Sequence, residues 1–193
     1  MAAIWSAERS SAPLRYRLPN PPPIFVGRRR EVAWLRAALV RSPLAVVCGA
    51  GGIGKTALVL HTLRDAPDAD RGILVRLAPS HGASLRLEIV RALSEALRCP
   101  VDWTALQGDG EATARVVVDL VERAPGPIVL DDLHHGAPGE VRDLLVDLAR
   151  YVRRSRLIAA SRTAVAAPEL ADLVVMLGPM PDADLLQLGR QQL

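Results

Sequence analysis

The stretch that decides the reading is "LAVVCGAGGIGKT", residues 44–56. "LAVVC" (44–48) is a short, bare apolar run closed by glycines, which suits a strand buried on both faces of a parallel sheet. From Gly49 to Thr56 the chain fits the spacing G-x-x-x-x-G-K-[ST] of a phosphate-binding loop, and a helix is expected from Lys55 to about Asp65. Glycines here let the backbone fold around an anion with its N–H groups inward, and the helix N-terminus adds its dipole. The pattern assigns Lys55 to β- and γ-phosphate oxygens and the Thr56 hydroxyl to Mg²⁺. Gly51, Gly52, Ile53, Gly54 and Ala57 complete the candidate phosphate-binding set. A glycine-rich turn ahead of a helix is the plainer alternative. The full match and its strand-to-helix context speak against it, and so does one count. Of 24 basic residues, 23 are arginine and the single lysine is Lys55. A compact ammonium does what a planar guanidinium cannot.

Downstream, "IVLDD" (128–132) ends a second buried run in two carboxylates. A carboxylate at the C-terminal end of such a strand sits at the crevice where open α/β sheets bind ligands. Asp131 is the candidate for the Mg²⁺ shell, and Asp132 for orienting or deprotonating an attacking water. Adjacent carboxylates repel, so the pair is costly without a cation nearby. An aspartate turn after a strand is the alternative, and it weakens about 75 residues beyond a phosphate-binding loop. Arg162, after "LIAAS", is a candidate reporter on a terminal phosphate, with a surface arginine as the alternative. His134 and His135 follow the acidic pair directly: contact with phosphate or a water is one reading, a solvated loop histidine the better one, and no further Cys or His lies at metal-ligand spacing. Cys48 reads as a small buried hydrophobe.

Around these motifs strands and helices alternate. Helices are expected over 28–41, 84–98, 111–123 and 139–152, and strands over 72–78, 127–132, 156–161 and 172–177. That alternation implies right-handed crossovers and a parallel sheet covered by helices on both faces. Residues 1–23 hold five prolines and no periodicity, and read as an extended tail or linker.

Composition excludes several classes. The 193 residues are 50% hydrophobic and 23% charged, a globular balance. No apolar run approaches the ~20 residues of a membrane span. Two cysteines make no disulfide framework, which together point to a soluble protein of a reducing cytoplasm. The net charge of +3 is unevenly placed: residues 1–41 carry +6 and the remainder −3. With only six aromatic residues for stacking, a solvated basic face is the better reading than a nucleic-acid groove.

The succession "FVGRRRE" (25–31), "GAGGIGKT" (49–56), "IVLDD" (128–132) and "LIAASR" (157–162) resembles the nucleotide-binding domain of the STAND ATPases, the group that includes the NB-ARC apoptotic and plant-immunity ATPases. The resemblance runs from about Pro22 to the C-terminus. It implies a three-layer P-loop NTPase of the ASCE type, with a five-stranded parallel sheet in the order 2-3-4-1-5. It implies ATP or ADP with Mg²⁺ as cofactors, and sets Phe25, Val26 and Arg28 against adenine and ribose, with Arg162 as the first sensor. It divides the chain into a tail (1–23), a nucleotide-binding domain (24–178) and the start of a helical domain (179–193). The family's glycine–proline motif, winged-helix domain and second sensor are not in the sequence, so the chain reads as a truncated core. Those domains, and copies of the same chain in the ATP-bound state, are the expected partners.

Three functions follow as expectations. The first is a switch that binds ATP or ADP, hydrolyses ATP slowly with Lys55, Asp132 and Arg162 as catalytic residues, and changes domain arrangement with nucleotide state. The second is a scaffold that holds nucleotide without turnover, for which Asp132 would be superfluous. The third is an AAA+-like ATPase. A small-molecule or nucleotide kinase is weaker, because no separate substrate pocket or arginine-rich lid is visible.

Overall fold

In the computed structural model, residues 12–79, 84–106 and 108–181 are described, together with Asp184 and Leu188. Five strands form one sheet: β1 Leu44–Gly49, β2 Ile73–Arg76, β3 Ile128–Asp131, β4 Leu157–Ser161 and β5 Val174–Leu177. All pairings are parallel and the order is β2-β3-β4-β1-β5. The helices are α1 Arg29–Arg41, α2 Lys55–Leu63, α3 Leu85–Leu97, α4 Gly110–Glu122 and α5 Pro138–Tyr151.

The strands are apolar throughout because both faces are covered, and alternation along each decides which residue meets which helix layer. Leu44, Val46 and Cys48 of β1 join Ile73, Val75, Ile128, Leu130, Leu157 and Ala159 in the larger core. The inward residues of α3, α4 and α5, such as Leu93, Leu120 and Leu145, pack there too. On the other face Ala45, Val47, Leu74, Val129 and Ile158 meet Leu35 and Ala38 of α1 and Leu58 and Leu63 of α2.

Helix ends follow local chemistry. Asp109 caps α4 by accepting from the N–H groups of Glu111 and Ala112, both at 2.9 Å. Pro138 opens α5, where its missing N–H costs nothing. Two strands are shorter than their apolar runs suggest. Residues 168–173, overlapping the expected start of the last strand, form 3₁₀ turns before β5, and the second strand stops at Arg76.

Within the stretch expected to be an extended tail, residues 12–18 lie on the body. Leu14–Tyr16 make a 3₁₀ turn, and Arg17 forms an antiparallel bridge with Ile73. Leu18 N–H donates to Gly72 O at 3.2 Å, and the Tyr16 hydroxyl donates to Glu95 of α3. Residues 1–11 and most of 182–193 lie outside the described residues. Among the described residues no helix is long and apolar enough to cross a membrane.

Candidate functional site

The loop between β1 and α2 turns on glycines with two distinct duties. Gly54 holds φ +96° immediately before α2, a left-handed conformation that a side chain would strain. At Gly49 an added Cβ would lie 2.9 Å from Leu177 O of β5, so close packing of β1 against β5 excludes one. Lys55 follows at the start of α2, 7% exposed, its ammonium donating to Gly49 O at 2.9 Å and Ala50 O at 3.0 Å. Those two carbonyls satisfy a buried cation that would otherwise be costly. Ile53 packs toward the core on the α1–α2 face, and Ala57 is on α2 one residue past Thr56.

Thr56 and Asp131 are 75 residues apart, yet the Thr56 hydroxyl donates to Asp131 Oδ2 at 2.8 Å. Asp131 Oδ1 accepts from the Asp132 N–H at 3.0 Å. The carboxylate of Asp131 is 3% exposed and ends β3. A divalent cation placed here would find two protein oxygens already converged. Among the described residues no three His, Cys, Asp or Glu side chains cluster as an all-protein cage. That donor set fits Mg²⁺, which keeps its waters and takes its remaining ligands from phosphates.

The sheet order brings β4 between β3 and β1, so Arg162, one residue past β4, stands between the aspartates and the glycine loop. Its guanidinium lies against Gly51: a Cβ built there would be 3.4 Å from Arg162 Cζ.

Asp132 adopts φ +61° and turns the chain into a 3₁₀ turn at Leu133–His135. This turn shields most of His134 from solvent, contrary to the expectation of a solvated loop histidine. Its side chain is 12% exposed and neither ring nitrogen has a hydrogen-bond partner. Burial holds the imidazole below its ordinary range, with His135, Arg162 and Lys55 acting in the same direction and Asp132 opposing them. A neutral ring makes the 3.8 Å approach of Nδ1 to Asp132 Oδ1 a polar contact rather than an ion pair. His134 therefore brings an unsatisfied donor and acceptor beside Asp132, within electrostatic reach of Arg162 and Lys55. Its position in "DDLHH" was the only sequence signal for it.

The segment Phe25–Arg28 borders the other side of the loop. Phe25 stacks on His61 of α2 with ring centroids 4.0 Å apart, and Val26 is buried. Arg28, 8% exposed, donates to Gly178 O at 2.7 Å, to Glu31 at 3.0 Å and to Ile53 O at 3.4 Å. It thus ties α1, the glycine loop and the exit of β5 together. Phe25–Arg28, His61, Arg36 and Gly178 wall an open cleft of about 1280 Å³, whose lining includes none of the loop glycines from Gly49 to Gly54.

No protein-family profile matches the chain, and no curated protein matches it. Solved structures do. A signal transduction ATPase with numerous domains (STAND) with a tetratricopeptide-repeat sensor, from Pyrococcus horikoshii, superposes with a TM-score of 0.65 at 20% identity, over 94% of this chain and 27% of that one. Cdc6p from Pyrobaculum aerophilum gives 0.62 at 16% identity, over 89% and 52% respectively. A Walker-type ATPase from Pyrococcus abyssi gives 0.56 at 17% identity, over 93% and 60%. The fold is the P-loop NTPase fold. Within that P-loop fold the strand order agrees with the order expected from the sequence. The chain spans between about a quarter and three-fifths of the length of these neighbours.

Proposed function

We propose that this chain is the nucleotide-binding domain of a STAND-type signalling ATPase, a switch that holds ATP or ADP with Mg²⁺ and hydrolyses ATP slowly. The observation that carries the reading is the 2.8 Å contact between Thr56 and Asp131, with Asp132 next in the chain. A hydroxyl and a carboxylate from distant segments converge, and they would hold a Mg²⁺ whose remaining ligands come from phosphate and water. Lys55 and the loop N–H groups hold the β- and γ-phosphates. Arg162 reads the terminal phosphate from the neighbouring strand end. Asp132 orients the attacking water, and Phe25, Val26 and Arg28 border the nucleoside. When bound, Mg²⁺ supplies charge neutralisation between phosphate oxygens. Similarity to the Pyrococcus horikoshii STAND structure over nearly the whole chain supports this reading. Nucleotide state then biases the arrangement of further domains and assembly with other copies of the chain.

The test is direct titration of the 193-residue chain with Mg-ATP and Mg-ADP, followed by single-turnover phosphate release. Micromolar binding of both nucleotides and slow release are expected. Failure of a folded chain to bind either nucleotide would overturn the proposal. Tight binding with no release over many hours would favour the scaffold.

A further inference from the structure

Among the described residues, Asp131 is the one carboxylate that is fully buried. Its two hydrogen bonds come from neutral donors, the Thr56 hydroxyl and the Asp132 N–H. The buried ammonium of Lys55 is engaged with Gly49 O and Ala50 O instead. A buried carboxylate is costly without a countercharge. Among the described residues one cation lies within ion-pair distance: Arg76, whose Nε is 3.9 Å from Asp131 Oδ2. No motif in the sequence singles Arg76 out. Parallel pairing of β2 with β3 sets Arg76 in register with Asp131, so the two side chains leave the sheet on the same face. The guanidinium remains 61% exposed and free to rotate toward solvent.

We propose that Arg76 is a positioning residue that competes with Mg²⁺ for Asp131, and so sets how much Mg²⁺ the site needs before it holds nucleotide tightly. The inference rests on the reading that Thr56 and Asp131 hold Mg²⁺. Oδ2 carries both the Thr56 contact and the Arg76 contact, so it is the atom a cation would share with Thr56. A dication there satisfies the carboxylate and repels the guanidinium, which must swing away. An exposed arginine does so at small cost, hence a moderate effect on Mg²⁺ demand rather than a block.

The test is ADP binding to the full chain across a Mg²⁺ series and in EDTA, for the wild type, Arg76→Gln and Arg76→Lys. The Mg²⁺ concentration for half-maximal tight binding should fall about three- to tenfold in Arg76→Gln, the range for a partly screened charge pair at this separation. Arg76→Lys should stay within about twofold of wild type, and high salt should narrow the difference. ADP affinity in EDTA should be alike in all three, and unchanged melting midpoints with Mg-ADP would exclude a folding defect. An unchanged Mg²⁺ requirement in Arg76→Gln, with wild type dependent on Mg²⁺, would overturn the inference alone. Weaker ADP binding by Arg76→Gln in EDTA would also overturn it, by making Arg76 a phosphate contact. A wild-type chain that binds ADP with no Mg²⁺ dependence would overturn the magnesium reading and this inference together.

Discussion

Replacing Lys55 with alanine should separate ligand binding from folding. In the structure the ammonium makes two charge-assisted bonds, at 2.9 and 3.0 Å, to carbonyls of its own loop. Their loss is partly offset because a buried cation no longer has to be desolvated. A net cost of about 1.5–3 kcal/mol is expected, the range for hydrogen bonds to charged groups. At ~2–4 °C per kcal/mol for a domain of this size, the melting midpoint should drop by roughly 3–12 °C. The ligand effect is the sharper readout. With Mg-ADP at about a hundred times its dissociation constant, the wild type should gain ~2.7 kcal/mol, or roughly 5–10 °C. If the variant loses about a hundredfold in affinity, the same ligand concentration only equals its dissociation constant. The gain then shrinks to ~0.4 kcal/mol, about 1 °C. Calorimetric or fluorescence melting with and without ligand measures both quantities, and circular dichroism verifies that the variant folds. A Lys55→Ala protein that keeps the full ligand-induced shift would refute the phosphate role of Lys55.

The remaining predictions concern the other side chains at the site. Asp132→Asn should leave nucleotide affinity within a few-fold and slow phosphate release by about 10²–10⁴; undiminished release would return Asp132 to a turn-forming role consistent with its positive φ. Arg162→Ala should weaken ATP binding about tenfold to a hundredfold while sparing ADP, measured by parallel titrations, because its guanidinium approaches the glycine loop at Gly51 from the end of the neighbouring strand. Equal losses for the two nucleotides would contradict a sensor of the terminal phosphate. Stability should decline as pH falls from about 7 to 5. His134 and His61 are both held below the ordinary imidazole range, chiefly by burial, so the unfolded chain takes up protons first. Glu95 and Asp102 are held low by hydrogen bonds from Tyr16 and Thr104, and their contribution is lost only at more acid pH. His134→Gln should flatten the slope between pH 7 and 5 in denaturant titrations; an unchanged slope would mean that His134 titrates normally.

Most of what is legible from sequence in this protein concerns neighbours in space that are neighbours in the chain; the pairing of Thr56 with Asp131, 75 residues on, is the exception, because two motifs assign both to one cation. Gly49 to Thr56 must form a loop between strand and helix because its glycines, its lysine and the flanking apolar runs are contiguous. Bare apolar strands alternating with amphipathic helices announce a two-sided parallel sheet, since periodicity reports burial directly. Periodicity says nothing about which strand lies beside which; the 2-3-4-1-5 order came from resemblance across four motifs, and the pairings bear it out. Contacts across the sheet were decided by register and by turn geometry alone. Arg76 meets Asp131 because β2 and β3 align them, 55 residues apart in the chain. His134 is mostly shielded from solvent because Asp132 turns the backbone at φ +61°, where the loop position suggested a solvated side chain. Arg28 reaches Gly178 across 150 residues of sequence. A one-dimensional pattern encodes how deeply a residue is buried, whereas the identity of its neighbours depends on the closed packing of the whole sheet.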